Sequence, residues 1–236
     1  MMPNFLNFHK YFMATNQNTY YNLKDTCRKG LLPYLESAIS LIPEISNPEI
    51  LDIGCGTGVP TLWMAAHFKG SVTAIDIRQE LLQFLEEKVK ADRLQSSVKT
   101  ICSSFTDYPF QPESFDIILA EGYLNIVGFE KGFVSIISKL KKGGYFIIHD
   151  EFRDHEQKCA FITANRCSLT GTLFLDNNVW WDSYYSRLEK EINEITDDDL
   201  RALFISDLKE IGLYKTTPEL FQSIYYIVEN TPPHLK

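Results

Sequence analysis

The spacing of apolar residues changes character near residue 49. Upstream, Tyr20 to Glu36 sets Leu23, Cys27, Leu31, Leu32 and Leu35 three and four apart with charge opposite, the pattern of an amphipathic helix. Pro33 inside that span predicts a kink or two shorter helices. Ala38 to Ile42 is a second apolar run that stops at Pro43, and Pro43 to Pro48 is a loop. From Glu49 onward short apolar runs alternate with helical stripes. The expected strands are Glu49–Ile53, Ser71–Ile77, Val98–Cys102, Phe115–Ala120 and Tyr145–His149. The helices between them are Thr61–His67, Gln79–Ala91 and Gly128–Leu140, the last closed by Lys142-Gly143-Gly144 as a C-terminal cap. This alternation predicts βαβ units and a parallel sheet with right-handed crossovers.

The alternation breaks after strand five. Glu151 to Glu194 is polar, aromatic and irregular, with one helix expected at Trp181–Glu194. Thr196 and Asp197 to Asp199 start a helix over Leu200–Ile211 that Gly212 caps, and Leu213–Thr217 with Phe221–Val228 make two final strands. The expected division is a helical cap or lid at 1–48 and one domain at 49–236 carrying an insertion at 152–195.

Composition narrows the class. The chain has 236 residues, 44% hydrophobic and 13% aromatic, so it can bury a core without disulfides or metal. A net charge of -8 repels phosphate backbones and disfavours general nucleic-acid binding. The five cysteines are odd in number and form no CxxC pair, which points away from zinc and toward a reducing compartment; no metal site is expected. No signal peptide is read at the N-terminus, and no apolar run reaches the roughly 18 residues of a membrane span, so a cytoplasmic location is expected.

The chemistry concentrates at Leu51-Asp52-Ile53-Gly54-Cys55-Gly56-Thr57-Gly58, a glycine-rich turn between a strand and a helix. Glycine lets backbone approach a ligand, and the helix N-terminus favours an anionic group. No Gly-Lys-Ser/Thr follows, so it is not a Walker loop. A tight turn without ligand has the same pattern. Asp76 ends the next strand, where a carboxylate can accept from both hydroxyls of a ribose or serve only as a surface acid before the Gln79 helix. Asp52, at the end of the first strand, is a buried charge in need of donors.

With these residues in order, the chain resembles the class I S-adenosylmethionine-dependent methyltransferases of the small-molecule type. The likeness spans Glu49 to Glu151 and adds Tyr108-Pro109-Phe110 through Ser114-Phe115-Asp116, and Leu140 to Gly144, to the loop and the acid. It implies a Rossmann-like α/β fold: a mostly parallel seven-stranded sheet with an antiparallel last strand, Phe221–Val228. It implies S-adenosyl-L-methionine as cofactor and methyl transfer to a small-molecule acceptor by in-line displacement. The alternatives are a non-catalytic S-adenosylmethionine-binding protein and an NAD-dependent oxidoreductase.

By the same resemblance Asp52, Gly54, Cys55, Gly56 and Gly58 line the cofactor, Asp76 holds its ribose and Ile77 packs on adenine. Ser103-Ser104 stands where the family often has an acid, leaving Ser104 and the Phe105 backbone for the adenine amine. Glu121 is placed near the cationic end of the cofactor and Tyr123 at the boundary with the acceptor. Tyr123, His149 and His155 are the candidate catalytic groups, although His149 also fits a sheet histidine. Tyr20, Tyr123, Arg153, Trp180 and Tyr184 are candidate acceptor contacts. Trp181, Tyr184, Tyr185 and Leu188 form a helical stripe that fits core packing equally well, and Tyr11, Phe12, Tyr20 and Tyr21 are expected in a lid.

Overall fold

The computed structural model describes residues 5–231, with side chains from Thr15 onward. Tyr11 and Phe12 of the expected lid therefore fall outside the described side chains. The chain divides into two compact units. One comprises Asp176–Phe221 with the described residues up to Leu31; the other comprises Leu32–Leu175 with the described residues from Gln222. These units cross the expected bounds: residues 32–48 and 152–175 go with the sheet.

In chain order the sheet unit contains α2 (Leu32–Ile39), β1 (Glu49–Ile53), α3 (Val59–His67), β2 (Ser71–Asp76), α4 (Gln79–Ala91), β3 (Val98–Cys102) and β4 (Phe115–Glu121). It continues through α5 (Tyr123–Val127), α6 (Phe129–Ile137), β5 (Leu140–Glu151), α7 (His155–Ala164), β6 (Ser168–Leu175) and β7 (Ser223–Glu229). The seven strands lie in the order β3-β2-β1-β4-β5-β7-β6. Neighbours from β3 to β5 are parallel, and β7 runs antiparallel to both β5 and β6. Central strands such as Ile117-Ile118-Leu119-Ala120 are buried on both faces, which is why they read as unbroken apolar runs. On one face Leu51, Ile53, Ile118, Phe146 and Ile148 pack with Leu124, Phe133, Ile136 and Ile162 of the helices. On the other, Ala74 packs with Leu82, Leu85 and Val89 of α4.

Four expectations are corrected. Lys142-Gly143-Gly144 does not cap a helix: α6 ends at Ile137, and Leu140 to Gly144 open β5 as an irregularity in its pairing with β4. Asn230 holds it, donating through Nδ2 to the carbonyls of Leu140 at 2.9 Å and Lys141 at 3.2 Å, while Gly143 turns at φ 73°. Leu213–Thr217 is not a strand; it completes α11 (Ile205–Thr216), whose Asp207, Ile211 and Tyr214 share the buried side. Gly212 lies inside that helix with open space where a Cβ would stand, and Thr217 is the cap. The partner of the last strand is instead Ser168–Leu175, within the stretch expected to be irregular.

The second unit has its own core. The structure contains α1 (Phe5–Arg28), then a 3-10 turn at Lys29–Leu31 in this unit; α2 follows in the sheet unit with Pro33 in its first turn, so Pro33 separates two helices as expected. The unit continues with α8 (Asn177–Trp180), a π turn at Trp181–Tyr185, α9 (Ser186–Glu194), α10 (Asp198–Ala202) and α11. Asp197 caps α10 by accepting from the Leu200 N–H at 2.8 Å. Tyr184, Tyr185, Leu188, Ile192, Phe204, Ile211 and Tyr214 form the core with Cys27. Gly30 is required there, because a Cβ would lie 2.1 Å from the Ser183 carbonyl oxygen.

Candidate active site at the strand C-terminal ends

The register of the sheet sets the site. Ile53 pairs with Ile75 on one side and Ala120 on the other. One residue further, Gly54 leaves β1 level with Asp76 and with Glu121. Glu121 is opposite His149, and His149 is opposite Tyr225. Opposed residues share a face of a sheet, so Asp76, Glu121, His149 and Tyr225 form one row across the C-terminal ends of β2, β4 and β5 and the start of β7.

The glycine loop is tied to this row through its backbone. The N–H groups of Gly54 and Cys55 donate to the Ile75 carbonyl at 2.9 and 3.2 Å. Gly56 donates to Asp76 Oδ2 and Arg78 to Asp76 Oδ1, both at 2.9 Å. Asp76, buried to 9% exposure, therefore braces the loop and the approach to α4 at once. Each of its oxygens still has a second lone pair for a ligand hydroxyl. Gly58 sits at φ 82°, and a Cβ there would lie 2.3 Å from Leu85 Cδ1, so this glycine packs the loop onto α4. The space beside Gly56 is open, and Ile77 is a bare apolar surface at 69% exposure next to the acid. A pair of lone pairs, an open backbone cradle and an uncovered apolar side chain fit an adenosine-bearing ligand.

Other expected cofactor residues are occupied differently. Asp52 is buried and accepts from Thr61 Oγ1 at 2.5 Å, fastening α3 to β1. Burial, then the charges of Asp52 and Asp76, push the Cys55 thiol well up, leaving it an inert part of the loop. Phe105 is core, stacked 5.8 Å from Phe110 and edge-on to Tyr123 at 6.3 Å. Ser104 shares a 2.8 Å hydrogen bond with Thr106 in the loop after β3.

Among the candidate catalytic groups, Tyr123 and His149 end near the loop and the row, and His155 does not. A Cβ on Gly54 would lie 3.5 Å from the Tyr123 ring, which places that ring against the first glycine. Burial and then Asp107 raise the Tyr123 hydroxyl above its ordinary range, so it is a donor, not a base, at neutral pH. His149 is buried, stacks on Tyr225 at 4.3 Å and shares a 3.0 Å hydrogen bond with Ser223. His155 bonds instead to the Tyr226 hydroxyl at 3.1 Å. Tyr225 and Tyr226 are consecutive on one strand and point to opposite faces, so the two histidines belong to different faces. Arg153 is 76% exposed and pairs with Glu151 at 2.8 Å.

Tyr20, Trp180 and Tyr184 belong to the second unit. The Tyr20 hydroxyl donates to Asp207 at 3.1 Å, and Lys24 pairs with Asp207 at 2.7 Å. Tyr184 lies in that unit's core, where burial pushes its hydroxyl up to about 12. Trp180 is half-buried, 5.9 Å from the Tyr185 ring. The residues missed by the sequence pattern are Tyr225 and Ser223; nothing local to β7 marks them, and only the strand register brings them to His149.

Residues 50–144 match the family model described as a methyltransferase domain. Those residues resemble a methyltransferase domain, and the sheet that holds them has the Rossmann-like class I methyltransferase fold. Similar curated proteins include a 24-methylenesterol C-methyltransferase of Arabidopsis thaliana, 30% identical over 129 residues, 52% of this chain and 36% of that protein. A ubiquinone/menaquinone biosynthesis C-methyltransferase of Geotalea daltonii is 33% identical over 114 residues, 47% of this chain and 48% of that protein. These matches span between about a third and a half of the relatives' length. Among solved structures, the [4+2]-cyclase SpnF superposes with a TM-score of 0.71 at 16% identity, covering 84% of this chain and 80% of the cyclase. A putative sarcosine dimethylglycine methyltransferase from Galdieria sulphuraria gives 0.66 at 15% identity over 85% of this chain and 84% of that one. The matched residues 50–144 lie entirely in the sheet unit and include the loop, Asp76, Glu121 and Tyr123.

Proposed function

We propose that this protein transfers a methyl group from S-adenosyl-L-methionine to a small-molecule acceptor. The observation that carries the reading is the carboxylate of Asp76 joined to the Gly56 N–H at the tip of β2, with open space beside it. The bound cofactor supplies a methyl group on a cationic sulfur. In this reading Gly54, Gly56 and Gly58 cradle it, Asp76 accepts from its ribose, Ile77 covers its adenine, and Ser104 and Phe105 border the adenine edge. Asp52 and Cys55 shape the loop from beneath. Tyr123 and His149 stand toward the acceptor, with Arg153 as a further acceptor contact.

A nicotinamide-dependent oxidoreductase would use the same loop and acid, but its second nucleotide half continues the sheet in parallel. Here β7 enters antiparallel beside β5, which favours the methyltransferase reading. The cyclase among the structural neighbours carries this fold too, so a reaction other than methyl transfer is the second reading. We place the protein in the cytoplasm: all five cysteines are free, and among the described residues no helix is long and apolar enough to cross a membrane. The test is mass spectrometry of small molecules carried by the purified protein, then a methyl-transfer screen over amines, thiols, phenols, quinols and carboxylates. Copurified S-adenosylmethionine or its demethylated product, with product formation in one class, is the expected outcome. Copurified nicotinamide dinucleotide would overturn the reading.

A further inference from the structure

The row across the strand ends has a polar half that the loop and Asp76 do not use. The Tyr225 hydroxyl donates to Glu121, the Tyr225 ring stacks on His149 at an interplanar angle of 10°, and His149 is tied to Ser223. His149, Tyr225 and Ser223 are buried, whereas Glu121 is half-buried. The next residue, Gly122, donates its N–H to the His149 carbonyl at 3.0 Å. One carboxylate is thus gripped by a buried stack on three adjacent strands, and it is the member of the stack that reaches toward solvent. A tyrosine hydroxyl donating to a carboxylate is a charge-assisted bond, stronger than a neutral one.

Strands in a sheet are about 4.8 Å apart, so Glu121 stands two strands, about 10 Å, from Asp76 along the row. A ligand that anchors its ribose on Asp76 and runs along the row brings the next part of its chain over Glu121. We infer that Glu121 reads the positive charge of the methyl donor's sulfur and that Tyr225, supported by His149 and Ser223, is the positioning residue that aims it. The site then discriminates between the charged donor and its neutral demethylated product, and favours release of the product. This rests on the reading above. The amino and carboxylate groups common to donor and product cancel in the comparison, so the ratio of their affinities isolates the sulfur.

The experiment is calorimetric titration of S-adenosylmethionine and S-adenosylhomocysteine into the wild-type chain, Glu121→Gln and Tyr225→Phe. Glu121→Gln should weaken S-adenosylmethionine about tenfold and move S-adenosylhomocysteine by less than twofold. Tyr225→Phe keeps the ring stack and should give the same selective loss at about threefold. S-adenosylhomocysteine binding reports that each variant has folded; if Tyr225→Phe does not fold, Glu121→Gln alone decides. Equal weakening of both ligands, or no change in either, overturns the inference while leaving the cofactor assignment standing. Failure of the wild-type chain to bind either ligand removes the cofactor assignment and this inference with it.

Discussion

In the proposed reading Asp76 has two jobs, and its substitution should reveal both. Its carboxylate accepts two backbone N–H groups, from Gly56 and Arg78, and keeps lone pairs for a ribose. Asp76→Ala removes a charge-assisted acceptor from two hydroxyls, roughly 2–3 kcal/mol. Calorimetry should show S-adenosylhomocysteine weakened about 30-fold or more with the circular dichroism of the fold retained; unchanged affinity would take the ribose role from Asp76. Gly58 gives a purely steric test. A Cβ there meets Leu85 Cδ1 at 2.3 Å, and φ 82° strains any side chain. Gly58→Ala should cost about 1–3 kcal/mol in urea unfolding. Because the clash is with one side chain, Gly58→Ala combined with Leu85→Ala should cost less than the sum of the two single changes. The loop and Asp76 were legible in the sequence because they are local: three glycines after a strand, and an acid ending the next. Tyr225 was not, since its relation to His149 exists only once β7 has paired with β5.

At the scale of elements, the bounds expected for β1 and α4 coincide with those observed, because a strand covered on both faces and a helix with one apolar stripe leave distinct patterns. Those of β3 coincide as well, although it is an edge strand with only Ile101 buried. β6 lies at the sheet edge, has a single partner strand, contains Gly171 and breaks register between Leu169 and Gly171, so its pattern is weak. Leu213–Thr217 carries strand-favouring residues yet extends α11, because Ile211 and Tyr214 fall on the side of the helix that packs on its unit's core. The helix α7 is held to β5 by an ion pair: Lys158 Nζ lies 2.6 Å from Asp150 Oδ2 and 2.6 Å from the Glu151 carbonyl, with both side chains largely buried. Lys158→Met should cost about 3–5 kcal/mol, because it leaves the Asp150 charge buried without its partner. Adding Asp150→Asn should recover part of that loss in the same urea titration. A cost below about 1 kcal/mol for the single change would mean the pair is as dispensable as a surface one.

For the whole molecule, ligand binding and folding are linked, and the linkage gives a test of the cofactor site that needs no acceptor. A ligand that binds only the folded chain stabilises it by RT ln(1 + [L]/Kd). At a concentration of S-adenosylhomocysteine about 100 times the wild-type Kd, the expected gain is about 2.7 kcal/mol. If Asp76→Ala weakens binding about 30-fold, the same concentration is only about three times the variant's Kd, and the gain falls to about 0.9 kcal/mol. For a chain of this size each kcal/mol moves the midpoint by about 2–4 °C, so the wild-type shift should be about 5–11 °C and the variant's about 2–4 °C. The two units have separate cores, so the midpoint compared must be that of the transition the ligand moves. Measured against each protein's own ligand-free midpoint, the comparison removes the stability lost when Asp76 releases the loop. Equal shifts in the two proteins would mean that the ligand does not use Asp76, and would return that residue to bracing the loop alone.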